Sequence, residues 1–167
     1  MAKIVSFRKA VKLAEELRKK GKKIVYTSGC FDILHIGHIT FINKAKKAGG
    51  VDAVLFVGVE NDDYIKRMKG KHRPVFDQRT RATMLSKLID IDFVIPFKHK
   101  YSKPETYFKY RKMMGEHLYV CGRTDKKIIE RILGECKSLG IKAKLINHDY
   151  KISTTKIEKV LYKHFAT

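Results

Sequence analysis

The sequence predicts an α/β protein, a doubly wound and mostly parallel sheet with helices on both faces. Two observations carry that prediction. Amphipathic segments of helical period alternate with short apolar runs along all 167 residues, and strands alternating with helices pack as a parallel sheet covered on both sides. The run "DAVLFVGV" at 52–59 is apolar at nearly every position, the composition of a strand buried on two faces.

Each element follows from local chemistry. Ser6 stands before an amphipathic run with Phe7, Val11, Leu13, Ala14 and Leu17 on one side, so it caps a helix that Gly21 stops after Lys20. "KIVYT" is the next strand, and "GCFDILHIGH" joins it to a helix ending near Ala48. After the strand at 52–59, "NDDYIKRMK" is a short helix and "GKHRPVF" a basic loop. Asp77 caps a helix through Leu88, and "DFVIPF" is a strand closed by Pro96. Pro104 sits at a favoured first-turn position for a helix over 103–114. "HLYVCG", "DKKIIERILGECKSLG" and "KAKLIN" read as strand, helix and strand, and Ser153 caps a last helix, "STTKIEKVLYKHF". No repeat or Pro/Ser-rich linker interrupts the pattern, so one domain over 1–167 is expected.

Composition excludes several classes. Apolar residues make up 44% of the chain, far from a disordered composition. No apolar run approaches the ~18 residues of a membrane span, and the charged N-terminus lacks a signal-peptide core, so a cytoplasmic protein is expected. Three cysteines without a C-x-x-C pair make a disulfide framework or a structural zinc site a poor reading. Cys121 reads as a small core residue, and Cys30 has no paired base that would make it a nucleophile. The formal net charge is +20, which attracts polyanions of every kind. Most of the excess is lysine on polar helix faces, so charge alone does not select a ligand.

In a doubly wound sheet, ligands bind beyond the carboxyl ends of the strands. Both "GCFDILHIGH" and "HDYKISTTK" follow a strand, so both are expected on that edge. His35 and His38 lie three apart at a helix start and project to one side. Gly37 between them admits close approach to the backbone. Two imidazoles there can donate to phosphate oxygens as charge develops, and Ser153 and Thr154 place hydroxyls at a second helix N-terminus. A pair of histidines without a third ligand is a weak metal signal, so no protein metal site is expected.

The pattern H-x-G-H after "GCFD", followed much later by "ISTTKI", resembles the cytidylyltransferase-like branch of the nucleotidyltransferases. "GKKIVYTSGCFDILHIGHI" and "KRMKGKHRPV" are similar to the adenylyltransferases that activate heptose 1-phosphate, whereas "ISTTKI" is closer to glycerol-3-phosphate cytidylyltransferases. The resemblance covers roughly 5–97 and 142–160. It implies a Rossmann-like fold, ATP or CTP as nucleotide, a small phosphorylated acceptor, and a divalent cation such as Mg²⁺ accompanying the triphosphate. It also implies roles. Cys30 and Phe31 would offer backbone to the nucleotide, and His35 and His38 would stabilise the α-phosphorus centre. Gly37, His148, Ile152, Ser153 and Thr154 would complete the nucleotide site. Lys69 or Lys71 would neutralise the triphosphate, with Lys71 the catalytic choice, and Asp32, Lys69 and Arg79 would face the acceptor.

Two positions depart from the cytidylyltransferase pattern. His148 stands where an arginine is expected, and "CGRTD" replaces an acidic Gly-Asp-Asp or Gly-Gly-Asp pattern. The first half of the chain matches the heptose 1-phosphate type over the longer span, so adenylyl transfer of that type ranks first, ahead of cytidylyl transfer and FAD synthesis. A catalytically silent nucleic-acid-binding module is the rival from another class, ranked last because both signatures are intact. A homodimer is expected from the resemblance; a membrane or nucleic-acid partner is not.

Overall fold

Ser6 does what its position before the first amphipathic run requires: its Oγ accepts a hydrogen bond from the Lys9 amide at 3.3 Å and opens helix α1, Phe7–Lys19. The computed structural model describes residues 1–98, 110–115, 117–122, 126–147, 150 and 152–165. Within them the order is β1 (Lys3–Ile4), α1, β2 (Lys23–Gly29), α2 (Ile36–Ala48), β3 (Ala53–Val59), α3 (Asp62–Lys69), α4 (Gln78–Ser86) and β4 (Phe93–Pro96). A helical segment at 110–114 follows, then β5 (Leu118–Gly122), α5 (Lys126–Ser138), β6 (Lys142–Ile146) and α6 (Thr154–Phe165).

The strands form one sheet in the order β1-β4-β3-β2-β5-β6, and every pair is parallel. The chain therefore winds outward from β2 through β3 to β4, then returns to place β5 and β6 on the other side of β2. That reversal opens a crevice between the carboxyl ends of β2 and β5, where loops leave the sheet in opposite directions. Six of the seven residues of β3 are buried, as its continuous apolar run requires.

Two apolar clusters lie on opposite faces of the sheet. Phe41, Ile42 and Ala45 of α2 pack with Ala82 and Leu85 of α4 against Val25, Leu55 and Val57. Ala10 and Ala14 of α1 pack with Met114, Ile132 and Cys136 against Ile24, Tyr26 and Phe56. Burying one large apolar side chain contributes about 1.5–3 kcal/mol, so helices on both faces are the stable outcome.

The expected elements that fall on described residues are present with shifted ends. β2 runs on to Gly29, and α4 stops at Ser86 rather than Leu88. Asp77 caps α4 through the Thr80 amide at 2.7 Å, and Ser153 caps α6 through the Lys156 amide at 3.3 Å. β1 was not expected from sequence. Two residues show no periodicity, and the Ala2, Lys3 and Val5 amides become strand-like only by donating to Ser86, Asp92 and Val94 carbonyls. The expected helix over 103–114 lies outside the described residues up to 109.

Candidate active site

At the end of β2 the backbone turns through Phe31 at φ 46°. A non-glycine residue in that left-handed region costs about 1–2 kcal/mol, and such strain gathers at functional sites. Tight packing holds it here: Phe31 is only 5% exposed. Gly29 makes the packing possible, because a Cβ there would sit 3.1 Å from the Phe31 ring. The turned ring stands edge-on to His38, with centroids 5.4 Å apart.

His35 caps α2. Its Nδ1 accepts the Gly37 amide at 3.1 Å, so the acceptor lone pair is on Nδ1 and the proton of the neutral ring on Nε2. The His35 and His38 rings stack with centroids 3.9 Å apart and planes 20° from parallel. Gly37 keeps this packing tight, since a Cβ would fall 3.0 Å from the His35 ring, which would have to give by a few tenths of an ångström, and in ordinary contact with Ile152 Cγ2 at 3.6 Å. The two sequence segments thus meet at Gly37.

Three buried side chains that sequence reading placed otherwise or missed hold this loop. Asp32 is 3% exposed. One carboxylate oxygen pairs with Arg73, and the other accepts the Val75 and Phe76 amides at 2.9 and 3.1 Å. Its carboxylate is directed at the 73–76 loop, although the residue also lines the cavity described below. Arg73 reaches further, to Glu158 Oε1 at 3.0 Å and Thr155 Oγ1 at 3.4 Å, and so ties the first segment to α6. Arg81 is fully buried. It donates to the carbonyls of Cys30, Glu60 (2.7 Å) and Phe76 (2.9 Å) and pairs with Asp62 at 2.6 Å. The available signal for Arg81 was its spacing, four residues before buried Leu85 on the inner face of α4.

A cavity of about 360 Å³ opens at the β2/β5 switch point, within the range of small-ligand sites. Cys30, Phe31, Asp32, His38, Lys69 and Thr154 line it. His35 stacks behind His38, Ile152 lies against Gly37, and Ser153 is exposed at the α6 cap. His148 and residues 123–125 lie outside the described residues. Arg79 is exposed on α4 and does not line the cavity; the buried arginine of that helix is Arg81. Burial pushes the Cys30 thiol up, with Lys69 opposing it. Its side chain is therefore a neutral wall rather than a thiolate nucleophile.

The two candidate lysines separate. Lys69 ends α3 and lines both this cavity and a second one of about 490 Å³ bounded by His72, Arg73, Thr155 and Glu158. Lys71 is exposed and lines neither. Lys69→Gln is expected to weaken triphosphate binding in low-salt calorimetry, by less as salt rises, because screening already weakens the contact. Lys71→Gln should change it little. Equal losses in the two variants would return both to a general surface field.

Among the described residues, no three His, Cys, Asp or Glu side chains gather as a metal cage. The described side chains therefore do not fit a resident metal ion. No described helix is long and apolar enough to cross a membrane.

A parallel sheet with its switch point beside two stacked histidines, and with hydroxyls at a facing helix N-terminus, is the architecture of the nucleotide-handling α/β class. The family model described as cytidylyltransferase-like matches residues 26–160. The chain belongs to that family, and with it to the nucleotidyltransferases. It is 35% identical over 149 residues to the bifunctional protein HldE of a Nitratiruptor species, covering 77% of this chain and 32% of that protein. It is 37% identical over 154 residues to the bifunctional protein HldE of Campylobacter jejuni, covering 78% and 33%. The chain thus spans about a third of those relatives. Among solved structures it is similar to the lipopolysaccharide core biosynthesis protein from Thermoplasma volcanium, with a TM-score of 0.59 and 25% identity over 78% of this chain and 98% of that one.

Proposed function

We propose that the protein transfers AMP from ATP to the phosphate of a sugar phosphate, as an adenylyltransferase of the heptose 1-phosphate type. The observation that supports it most is His38 on the cavity wall with His35 stacked behind it, in a chain 35–37% identical to about a third of each of two HldE relatives. In this reading an acceptor phosphate oxygen attacks the α-phosphorus of ATP. One P–O bond forms while the bond to the bridging oxygen breaks, and that electron pair leaves with pyrophosphate. No covalent enzyme intermediate is needed, so the chain acts by positioning and by placing donors where charge grows.

His38 faces the cavity and supplies an imidazole donor to the pentacoordinate centre, while His35 stacks behind it and fixes its plane. The N-terminus of α6, with Ser153 and Thr154, cradles the outgoing phosphates, and Lys69 offsets their charge. The cation that arrives with the triphosphate would add charge neutralisation.

The test is pyrophosphate release with four nucleoside triphosphates against heptose 1-phosphate, glycerol 3-phosphate, choline phosphate and FMN. ATP is expected to exceed CTP by at least about tenfold in kcat/KM, roughly 1.4 kcal/mol of differential transition-state binding. The reason is His148, which is smaller than arginine and lacks its bidentate fork. Clear CTP preference would replace this ranking with cytidylyl transfer. RNA binding with steep salt dependence and no pyrophosphate release would favour the silent module instead.

A further inference from the structure

Arg73 is buried, yet it lies outside the lining of the main cavity and faces the second one, beside Lys69, Thr155 and Glu158. Each nitrogen of its guanidinium serves a different partner. Nη1 pairs with Asp32, Nε pairs with Glu158 at 3.0 Å, and Nη2 donates to Thr155 Oγ1 at 3.4 Å. Asp32 is itself anchored, because its other oxygen accepts the Val75 and Phe76 amides. The planar guanidinium therefore fixes an angle as well as a distance between the loop that carries Asp32 and the first turn of α6. The single ammonium of a lysine would not.

These bonds grip the part of α6 that meets the main cavity. Thr154 is buried and lines that cavity. Thr155 is the next residue, and Glu158 stands four residues on from Thr154, over the same side of the helix. Residues 159–164 of α6 are all exposed, so packing along the far half of the helix contributes little to where it sits. Its first turn has to place it. A buried arginine shared by two carboxylates is also a poor route to stability alone, since apolar residues of similar volume often hold a fold as well or better. What the charged fork adds is a defined geometry.

We propose that Arg73 is a positioning residue for nucleotidyl transfer. It holds the first turn of α6 in register with the His35–His38 loop, so that the α-phosphorus faces His38 while the outgoing phosphates lie at Ser153 and Thr154. The inference rests on the adenylyl-transfer reading above for its ligand, and on the three bonds of Arg73 for the register. A misplacement of about 1 Å in such a site can cost on the order of 10²-fold in rate. The loss should fall on the β- and γ-phosphates, which α6 receives, and spare the rest of the nucleotide.

The experiment starts from Glu158→Ala, which cuts the tie at its partly exposed end and leaves the buried Asp32–Arg73 pair in place. The urea midpoint should stay near wild type, because partly exposed ion pairs contribute little stability. Hydrogen exchange of the α6 amides should quicken about tenfold, with α2 and α4 unchanged. In calorimetry at moderate salt, ATP should bind about tenfold more weakly and AMP within about twofold of wild type. The sign is decisive. Removing a carboxylate beside Lys69, in a chain of net charge +20, would tighten ATP if only the general field mattered. Arg73→Lys keeps a charge for Asp32 but loses the fork, so it too should weaken ATP more than AMP. Glu15→Ala, which removes a carboxylate from the exposed pair with Lys19 on α1, should change neither affinity. Unchanged or tighter ATP binding in Glu158→Ala, equal losses for ATP and AMP, or the same loss in Glu15→Ala would overturn the proposal. Wild-type protein that binds ATP no better than AMP would count against the proposed activity. The exchange comparison would then still decide the tie, and unchanged α6 exchange in Glu158→Ala would overturn it.

Discussion

Replacing His38 with alanine is expected to lower turnover roughly 10²–10³-fold, the cost of one lost donor to developing charge, while the protein stays folded. His38 lines the cavity at the N-terminal turn of α2, between the Phe31 edge and the His35 face. Its removal takes away a donor and little apolar core, because that face of α2 is anchored by Phe41, Ile42 and Ala45. His35 should behave differently. Its Nδ1 caps the Gly37 amide, so His35→Ala should also lower stability by about 1 kcal/mol. His35→Asn, which can restore the cap but not the stacked ring, separates the two effects. Steady-state kinetics beside urea unfolding reads both quantities. Wild-type pyrophosphate release from folded His38→Ala would remove the histidine from the chemistry.

Arg81→Met should destabilise the fold by about 3–5 kcal/mol, as expected when one partner of a buried charged network is removed. The side chain is fully buried and serves three carbonyls and one carboxylate drawn from separate stretches of chain. Methionine fills much of the volume but leaves the carbonyls of Cys30, Glu60 and Phe76 without their donor, at about 1–3 kcal/mol for each that stays dry. Against a typical total of about 5–15 kcal/mol, this is a large fraction. The urea midpoint should fall with little change in slope, whereas exposed Arg79→Met should stay within about 0.5 kcal/mol. The Cys30 carbonyl is one of the released groups, so the loop leading to His35 should loosen too. A near-wild-type midpoint for Arg81→Met would show that water replaces the arginine without cost.

Period and composition in the sequence were sufficient for the architecture. The alternation of apolar runs with amphipathic segments implied a parallel doubly wound sheet, and Ser6, Asp77 and Ser153 marked three helix starts that their hydrogen bonds bear out. These are local signals: a cap needs only the next three residues, and a strand buried on both faces is apolar by necessity. The two segments proposed to handle phosphate were legible for the same reason, since helix N-termini and glycine approach are written in short stretches.

Tertiary structure alone decided how those segments are held and what surrounds them. Arg73 stands in a stretch that reads in sequence as a basic loop and Arg81 carried no reading there, yet each is buried because its partners arrive from elsewhere: Asp32 and Glu158 for the first, Asp62 and three carbonyls for the second. Lys69 and Lys71, two residues apart, differ only because α3 ends between them. β1 exists only as a partner for β4. Arg111 and Arg131, on separate helical segments, share one carboxylate because the β5–α5 crossover folds α5 back over the sheet. A sequence shows a residue's own periodicity and its near neighbours, but the partner that makes a buried charge tolerable is fixed only when the sheet is assembled.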